Sequence, residues 1–512
     1  MCGIFGCFGN YDREDCLKCL DSIRSRGPDN QNTVEREKYF LGFNRLCIND
    51  LTENGNQPMS SGNVHMMCNG EIYNHLEIQK HYNLECKSRS DCEVILRAYV
   101  SGVDMDELCN MINGDFAFVI VDENLIIAAR DRVGVRPLFY GFTTNSQLII
   151  ASEVKAMKMC ESVRHIVPAH IYQFSKRGPR WEYSTVRYWE MPTPTILSHP
   201  KVGEFRKILD DAVKLRLESD RPIGCLLSGG LDSTVVTYLL VQALGVTNVR
   251  TYSIGMEGSI DLYYADKVAR DLGIIHTEVK FTPQEGIRAI PEVIKALESY
   301  DITTVRASVG MYLLGKYIAE NTDDKVIFSG ELSDELMCGY LYFHHAPTDE
   351  DAYAESKRLV SNVYKYDALR ADRCISTHGL ELRVPFADKN VMDYCLSLSG
   401  SVKRPKNGVE KRIIREQFVG DIANDILWRR KDGFSDGVSA MGKPWYEYIK
   451  EFVEDKVTDE ITDEFPSKEA LYYRNIYREL YPNFHRPVEE HWMPKWVNVD
   501  KSNPSGRIIK IE

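Results

Sequence analysis

Near residue 190 the hydrophobic pattern changes its period, and that change divides the chain into two kinds of fold. Before it, short runs such as Gly114–Asp122 and Leu125–Arg130 are dense in apolar and β-branched residues and bounded by polar ones, the mark of paired strands. They predict a β-rich layered domain over residues 1–190. Two prolines in Met191-Pro192-Thr193-Pro194-Thr195 mark a linker, 191–202. From 203 the spacing turns helical: Phe205, Ile208, Leu209, Ala212, Val213 and Leu217 recur at three- and four-residue intervals, an amphipathic stripe. Residues 223–227 read as a buried strand, a glycine-rich turn follows, and 234–244 reads as a helix; 251–254 and 264–272 repeat the alternation. Strand-helix-strand order of this kind predicts a parallel sheet covered by helices over 203–512. Helical patterns dominate 285–320 and 352–398. The fold class expected is therefore two domains, one α+β and one α/β.

Bulk properties exclude more than they identify. At 512 residues, 43% hydrophobic and with a formal net charge of −12, the chain has ample material for two cores. It lacks the overall positive charge of a nucleic-acid or anionic-membrane binder. No run approaches the ~20 apolar residues of a membrane span, and the N-terminus lacks the pattern of a signal peptide. The 14 cysteines are scattered, which suits reduced thiols and a cytoplasmic location. Cys16 and Cys19 form a CxxC with no second pair at matching spacing, so no zinc or redox role is read from them.

The second residue is where chemistry enters. Once the initiator Met is removed, Cys2 carries a thiol and a free α-amine on one Cα, a nucleophile with its own proton acceptor. Behind it come Arg26-Gly27-Pro28-Asp29, Arg45-Leu46, Gln57-Pro58, Asn69-Gly70-Glu71-Ile72-Tyr73-Asn74 and Ser90-Asp91. Together these resemble the glutamine amidotransferase domain of the N-terminal-nucleophile type, which implies an αββα sandwich and glutamine as substrate. On that resemblance Arg45 takes the α-carboxylate, Asp91 the α-ammonium, and Glu71 a third substrate contact. The Asn69 side chain and the Gly70 N–H donate to the oxyanion as Cys2 attacks, each donor contributing about 3 kcal/mol in the transition state.

A second site is written in Ser228-Gly229-Gly230-Leu231-Asp232-Ser233-Thr234, between strand and helix. Small residues admit an anion to the backbone, and a helix start aims free N–H groups at it. No Lys follows Gly230, so this is not a Walker loop. It resembles the pyrophosphate loop of ATP pyrophosphatases. Ser329-Gly330-Glu331-Leu332-Ser333-Asp334-Glu335 follows a strand-like run, and Asp232 with Asp334 forms a candidate Mg²⁺ pair. Lys431, in Arg430-Lys431-Asp432-Gly433-Phe434, is suited to neutralise charge on the α-phosphate.

With Tyr300-Asp301-Ile302-Thr303-Thr304-Val305-Arg306 and Gly379-Leu380-Glu381-Leu382-Arg383 added, nearly the whole chain resembles the glutamine-hydrolysing asparagine synthetase family. The resemblance implies ATP as co-substrate, with Leu227 and Ile254 flanking the nucleotide and Ser228, Gly229, Gly230, Asp232, Ser233, Ser329 and Gly330 contacting it. It implies Glu331 in the step that consumes ammonia, and Thr304 and Arg306 near phosphate or aspartate. It leaves room for a homodimer. Because ammonium cannot attack, two sites in one chain imply a sheltered route, expected to be lined by small or apolar residues. Leu332 departs from the family, which has Gly there; a left-handed backbone would cost a non-Gly residue roughly 1–2 kcal/mol, and on that ground Gly would speed the synthetase step. A β-lactam-synthetase-like enzyme, a sugar or phosphoribosyl amidotransferase, and an inactive regulatory homologue stand as alternatives. The aromatic-rich last forty residues are expected to pack on the second domain.

Overall fold

Two six-stranded antiparallel sheets stack in the first half of the chain. The computed structural model describes all residues except 179, 199, 202, 431–436, 440–441, 483, 485–490 and 498–512. The first sheet runs Cys160–His165, Phe139–Thr143, Leu148–Ala151, Gly3–Phe8, Tyr39–Arg45, Asn30–Arg36 in spatial order. The second runs Arg180–Arg187, His170–Arg177, Leu125–Arg130, Gly114–Asp122, Val64–Ile72, Met59–Ser61. Ile4, Phe8, Leu41 and Phe43 of one sheet interlock with Met67, Val119, Val121 and Ile126 of the other, all nearly or fully buried. Alternation puts every second side chain into that seam. The Arg13–Asp21 helix covers one outer face and the Glu93–Val100 helix the other, so the layers are αββα.

The second half is built on five parallel strands in the order Ile275–Lys280, Arg250–Gly255, Ile223–Leu226, Val326–Phe328, Glu381–Arg383. In chain order that is 3-2-1-4-5. The connections reverse direction between Ile223–Leu226 and Val326–Phe328, and ligands of open α/β sheets bind in the crevice beyond the strand ends at such a switch point. The loops leaving those two strands are 227–230 and 329–332, the glycine-bearing segments singled out in the sequence. Glu381–Arg383 is a strand inside the stretch expected to be helical. It has three residues, and two of them, Glu381 and Arg383, are charged yet buried, so no periodicity announces it. Among the described residues no helix is long and apolar enough to cross a membrane.

Where the halves meet, charge is buried. Arg26, Arg136, Arg216, Arg373 and Arg383 are all inaccessible to solvent. Glu298 of the second half accepts the backbone N–H groups of Val154 and Lys155 of the first at 2.8 and 2.7 Å. Asp388 joins both halves: it accepts from Arg216 Nη1 and from Asn113 Nδ2, each at 2.8 Å, and caps the Lys389–Ser397 helix. Removing one partner of a buried pair costs about 3–5 kcal/mol, and losing a helix cap about 1 kcal/mol more. Asp388→Ala is therefore expected to lower the unfolding free energy by at least about 3 kcal/mol in urea titration and to expose residues 191–198 to protease. A loss under about 1 kcal/mol would place the pair with ordinary surface ion pairs.

Candidate active sites

Cys2 precedes the strand Gly3–Phe8, which is central in the first sheet, so the sheet fixes the thiol's position. Its backbone N–H donates to Asn69 Oδ1 at 2.9 Å, and its carbonyl accepts from Arg26 Nε at 2.8 Å. With Met1 present that nitrogen is an amide; removal of Met1 would turn it into a free amine already seated on Asn69. Met1 itself is buried, its amine 3.4 Å from Leu380 O. Burial pushes the Cys2 thiol upward, so a proton acceptor beside it matters.

Asn69 uses its oxygen on Cys2 and leaves Nδ2 buried without a hydrogen-bond partner among the described residues. A buried donor of that kind costs about 1–3 kcal/mol until something accepts from it, and beside a nucleophile it suits an oxyanion. Gly70 next to it has φ +154°, and a Cβ there would lie 2.1 Å from Asp115 O; only glycine fits. Gln57 anchors the same strand through both hydrogen bonds to Cys68, at 3.1 and 2.6 Å.

Around this pair stand the three expected glutamine contacts. Asp91 Oδ2 accepts from Ile72 N at 2.6 Å. Glu71 Oε2 accepts from Asn49 Nδ2 at 2.6 Å and lies 3.5 Å from Arg383 of the second half. Burial, then the charge of Asp91, pushes the Glu71 carboxyl up, and burial does the same to Asp91. Two carboxyls held this way suit an ammonium. Arg45 is placed differently from expectation: Nη1 donates to Thr52 O and Asn56 Oδ1, and Nη2 to Asn49 O and Asp50 O. It shapes the 46–56 loop, and a substrate carboxylate would share it. Asn49 and Arg383 were missed as site residues, because neither has a local signature.

The second site is a cavity of about 250 Å³ at the switch point. Of the expected nucleotide contacts, Leu227, Ser228, Gly230, Asp232, Ser233, Ile254, Ser329 and Gly330 line it, with Thr304, Arg306, Glu331 and Asp334. Gly229 does not; its carbonyl accepts from Nη1 of Arg429, a cavity-lining residue, at 3.2 Å. Ser233 Oγ accepts from Ser228 N at 3.2 Å, and Gly230 O accepts from Thr234 N at 3.1 Å, closing the loop onto the Leu231–Leu244 helix. A Cβ on Gly330 would lie 2.8 Å from the Asp232 carbonyl carbon, so the two loops touch. Lys431 lies outside the described residues.

A cation at the loops without a local signature in the sequence is Lys411. Its Nζ sits 2.6 Å from Asp232 Oδ2 and 2.5 Å from Asp334 Oδ1. Two carboxylates converging on one point fit the chemistry of a hard divalent cation as well. Glu331 pairs with Arg370 Nη2 at 2.7 Å. Arg306 forks onto Glu469 of the Lys468–Leu480 helix through Nε and Nη2, at 2.7 and 2.5 Å. Thr304 donates to Asp301 Oδ2 from both N and Oγ1, at 2.8 and 2.7 Å.

Leu332 has φ +75°, the left-handed conformation foreseen for it, and is 4% exposed. Its strain of roughly 1–2 kcal/mol is offset by about 1.5–3 kcal/mol of side-chain burial. Glycine would relieve the first, lose the second and add backbone entropy of about 0.5–1 kcal/mol. Leu332→Gly is thus expected to melt lower, by about 1 kcal/mol, with turnover on ammonium salt unchanged or reduced. A severalfold faster enzyme would show that leucine handicaps the site.

Residues 1–186 match the family profile described as a glutamine amidotransferase domain. Residues 204–362 and 348–500 match the profile described as asparagine synthase. The human protein named asparagine synthetase [glutamine-hydrolyzing] is 40% identical over an alignment of 559 positions, covering 99% of this chain and 98% of that one. The Bos taurus protein of the same name is 40% identical over 99% and 98%, and the Gallus gallus one 38% over 100% and 99%.

Proposed function

This chain belongs to the glutamine-hydrolysing asparagine synthetase family and makes asparagine from aspartate, glutamine and ATP, and we propose how its residues divide that work. Residues 1–190 form the amide-splitting unit, 191–202 the linker and 203–512 the synthetase unit. Cys2 Sγ attacks the glutamine side-chain carbonyl. Its proton passes to the freed amine, which Asn69 Oδ1 holds in place. Negative charge on the carbonyl oxygen is met by Asn69 Nδ2 and the Gly70 N–H. Ammonia leaves, and water releases glutamate from the thioester. Glu71, Asp91 and Arg45 hold the amino-acid head.

In the synthetase unit a carboxylate must first be given a leaving group. The aspartate β-carboxylate attacks the α-phosphate of ATP, forming β-aspartyl-AMP and releasing pyrophosphate. The 228–233 and 329–334 loops cradle the phosphates with backbone N–H groups and the start of the Leu231–Leu244 helix. Lys411 sets positive charge where pyrophosphate charge grows. Asp232 and Asp334 would hold Mg²⁺, which when bound offsets phosphate charge. Ammonia attacks the β-carbonyl, Glu331 positions it or takes its proton, and AMP departs. Arg306 and Thr304 face the aspartate or phosphate.

The orphaned Nδ2 of Asn69 beside Cys2 carries the first half of this reading. Cys2→Ala is expected to abolish glutamine-dependent asparagine formation while leaving turnover on ammonium salt within about 2-fold, with AMP and pyrophosphate formed one to one with asparagine. ADP in place of AMP would overturn the adenylate step. Lys411→Met is expected to slow pyrophosphate release on ammonium salt by roughly 10²-fold, read by a coupled phosphate assay.

A further inference from the structure

One buried helix, Asp367–Ser376, touches both sites. Residues two apart on a helix point about 200° apart, and Arg370 and Asp372 use that geometry. Arg370 Nη2 reaches into the synthetase cavity to Glu331 Oε2 at 2.7 Å and to Asp367 Oδ1 at 2.9 Å. From the other side Asp372 Oδ2 accepts from Arg26 Nη1 at 2.8 Å, and its Oδ1 from Nη2 at 3.3 Å. Ser376, one turn on, accepts from the same Nη1 at 2.9 Å. Arg26 then donates from Nε to the carbonyl of Cys2. Asp372, Ser376 and Arg26 are 0–1% exposed. The residue that bears the amide-splitting thiol is thus held, through one arginine, by a carboxylate that belongs to the other half of the chain.

We propose that Asp372, assisted by Ser376, is a positioning residue for the glutamine-splitting site. The proposal rests on the asparagine-forming reading above. Its physical basis is the price of an unpaired buried charge. Asp372 supplies one of the two carboxylates that hold the Arg26 guanidinium, and Arg26 has no solvent through which to relax when that charge is lost. A displacement of 1 Å at a nucleophile is worth up to about 10²-fold in rate. Glu153 Oε1, which also accepts from Arg26 Nη1 at 2.8 Å and pairs with Arg373 Nη1 at 2.7 Å, keeps Arg26 charged and bound when Asp372 is altered, so the variant changes the guanidinium's aim more than its presence.

Asp372→Asn in the processed full-length chain tests this with two readouts. Glutamine hydrolysis is expected to lose about 10-fold or more in kcat with KM for glutamine little changed. Turnover on ammonium salt should stay within about 2-fold of wild type. Equal losses in both activities, or none in either, would overturn the positioning role. If Asp372→Asn does not fold, Ser376→Ala removes only the hydroxyl acceptor and should show the same selective loss at smaller size. Absence of AMP from the wild-type ammonium reaction would instead sink the asparagine-forming reading itself.

Discussion

Arg26 fixes where the two halves of this molecule lie relative to each other. It is fully buried and bonds to Cys2 and Glu153 in its own half and to Asp372 and Ser376 in the other. Further pairs cross between the halves around it: Arg373 with Glu153 at 2.7 Å, Arg132 with Asp393 at 2.9 Å, Arg383 with Glu71 at 3.5 Å. Desolvating each ion costs several kcal/mol, which mutual attraction returns only in good geometry. An apolar interface would tolerate sliding by an ångström or two; this one does not, since each displaced pair leaves a charge in low dielectric. Registry between two active sites is what such an interface supplies.

The synthetase site follows from topology in the same way. A 3-2-1-4-5 strand order opens a crevice only where strands 1 and 4 neighbour each other. The first supplies Ser228–Ser233 and the fourth Ser329–Asp334, and Ser333 Oγ donates to Asp232 Oδ1 across them at 2.7 Å. Lys411 ties the two carboxylates from a third segment. Leu332 fits here because its strain is local and its side chain is sunk in the core. A left-handed residue also turns the chain sharply enough for Glu331 to face the cavity while Asp334 returns to Lys411.

How much of this could be read in advance depended on how local the signal was. The strands Gly114–Asp122 and Leu125–Arg130 and the parallel order of the second half were legible, because alternation and strand-helix rhythm survive within a window of ten residues. The Ser228–Ser233 loop was legible because glycine, serine and aspartate at that spacing have few other uses between a strand and a helix. Glu381–Arg383 was not, since buried charges look like surface. Lys411, Arg370 and Asp372 escaped for a related reason: each owes its place to partners far off in the chain, Lys411 to Asp232 and Arg370 to Glu331. Arg306 was read as facing phosphate or aspartate, and it does line the cavity, but its fork with Glu469 could not be foreseen from either neighbourhood.

That fork makes the end of the chain part of the site. Glu469 is 3% exposed and accepts from Tyr473 as well as Arg306. Farther on, the backbone N–H of Trp492 donates to Asp301 Oδ1 at 2.9 Å, while Asp301 Oδ2 caps the helix bearing Thr304 and Arg306. Trp492 also packs on Tyr340 and Tyr342, and Lys495 reaches Glu355 at 2.8 Å. One carboxylate therefore sets the start of a helix that lines the cavity and anchors the segment beside it. The aromatic residues expected only to pack on the second domain do so, yet they pack against the side chains that aim Arg306. Packing and positioning are here the same contacts, and the Tyr446 ring, 5.4 Å from the Arg306 guanidinium, adds to them.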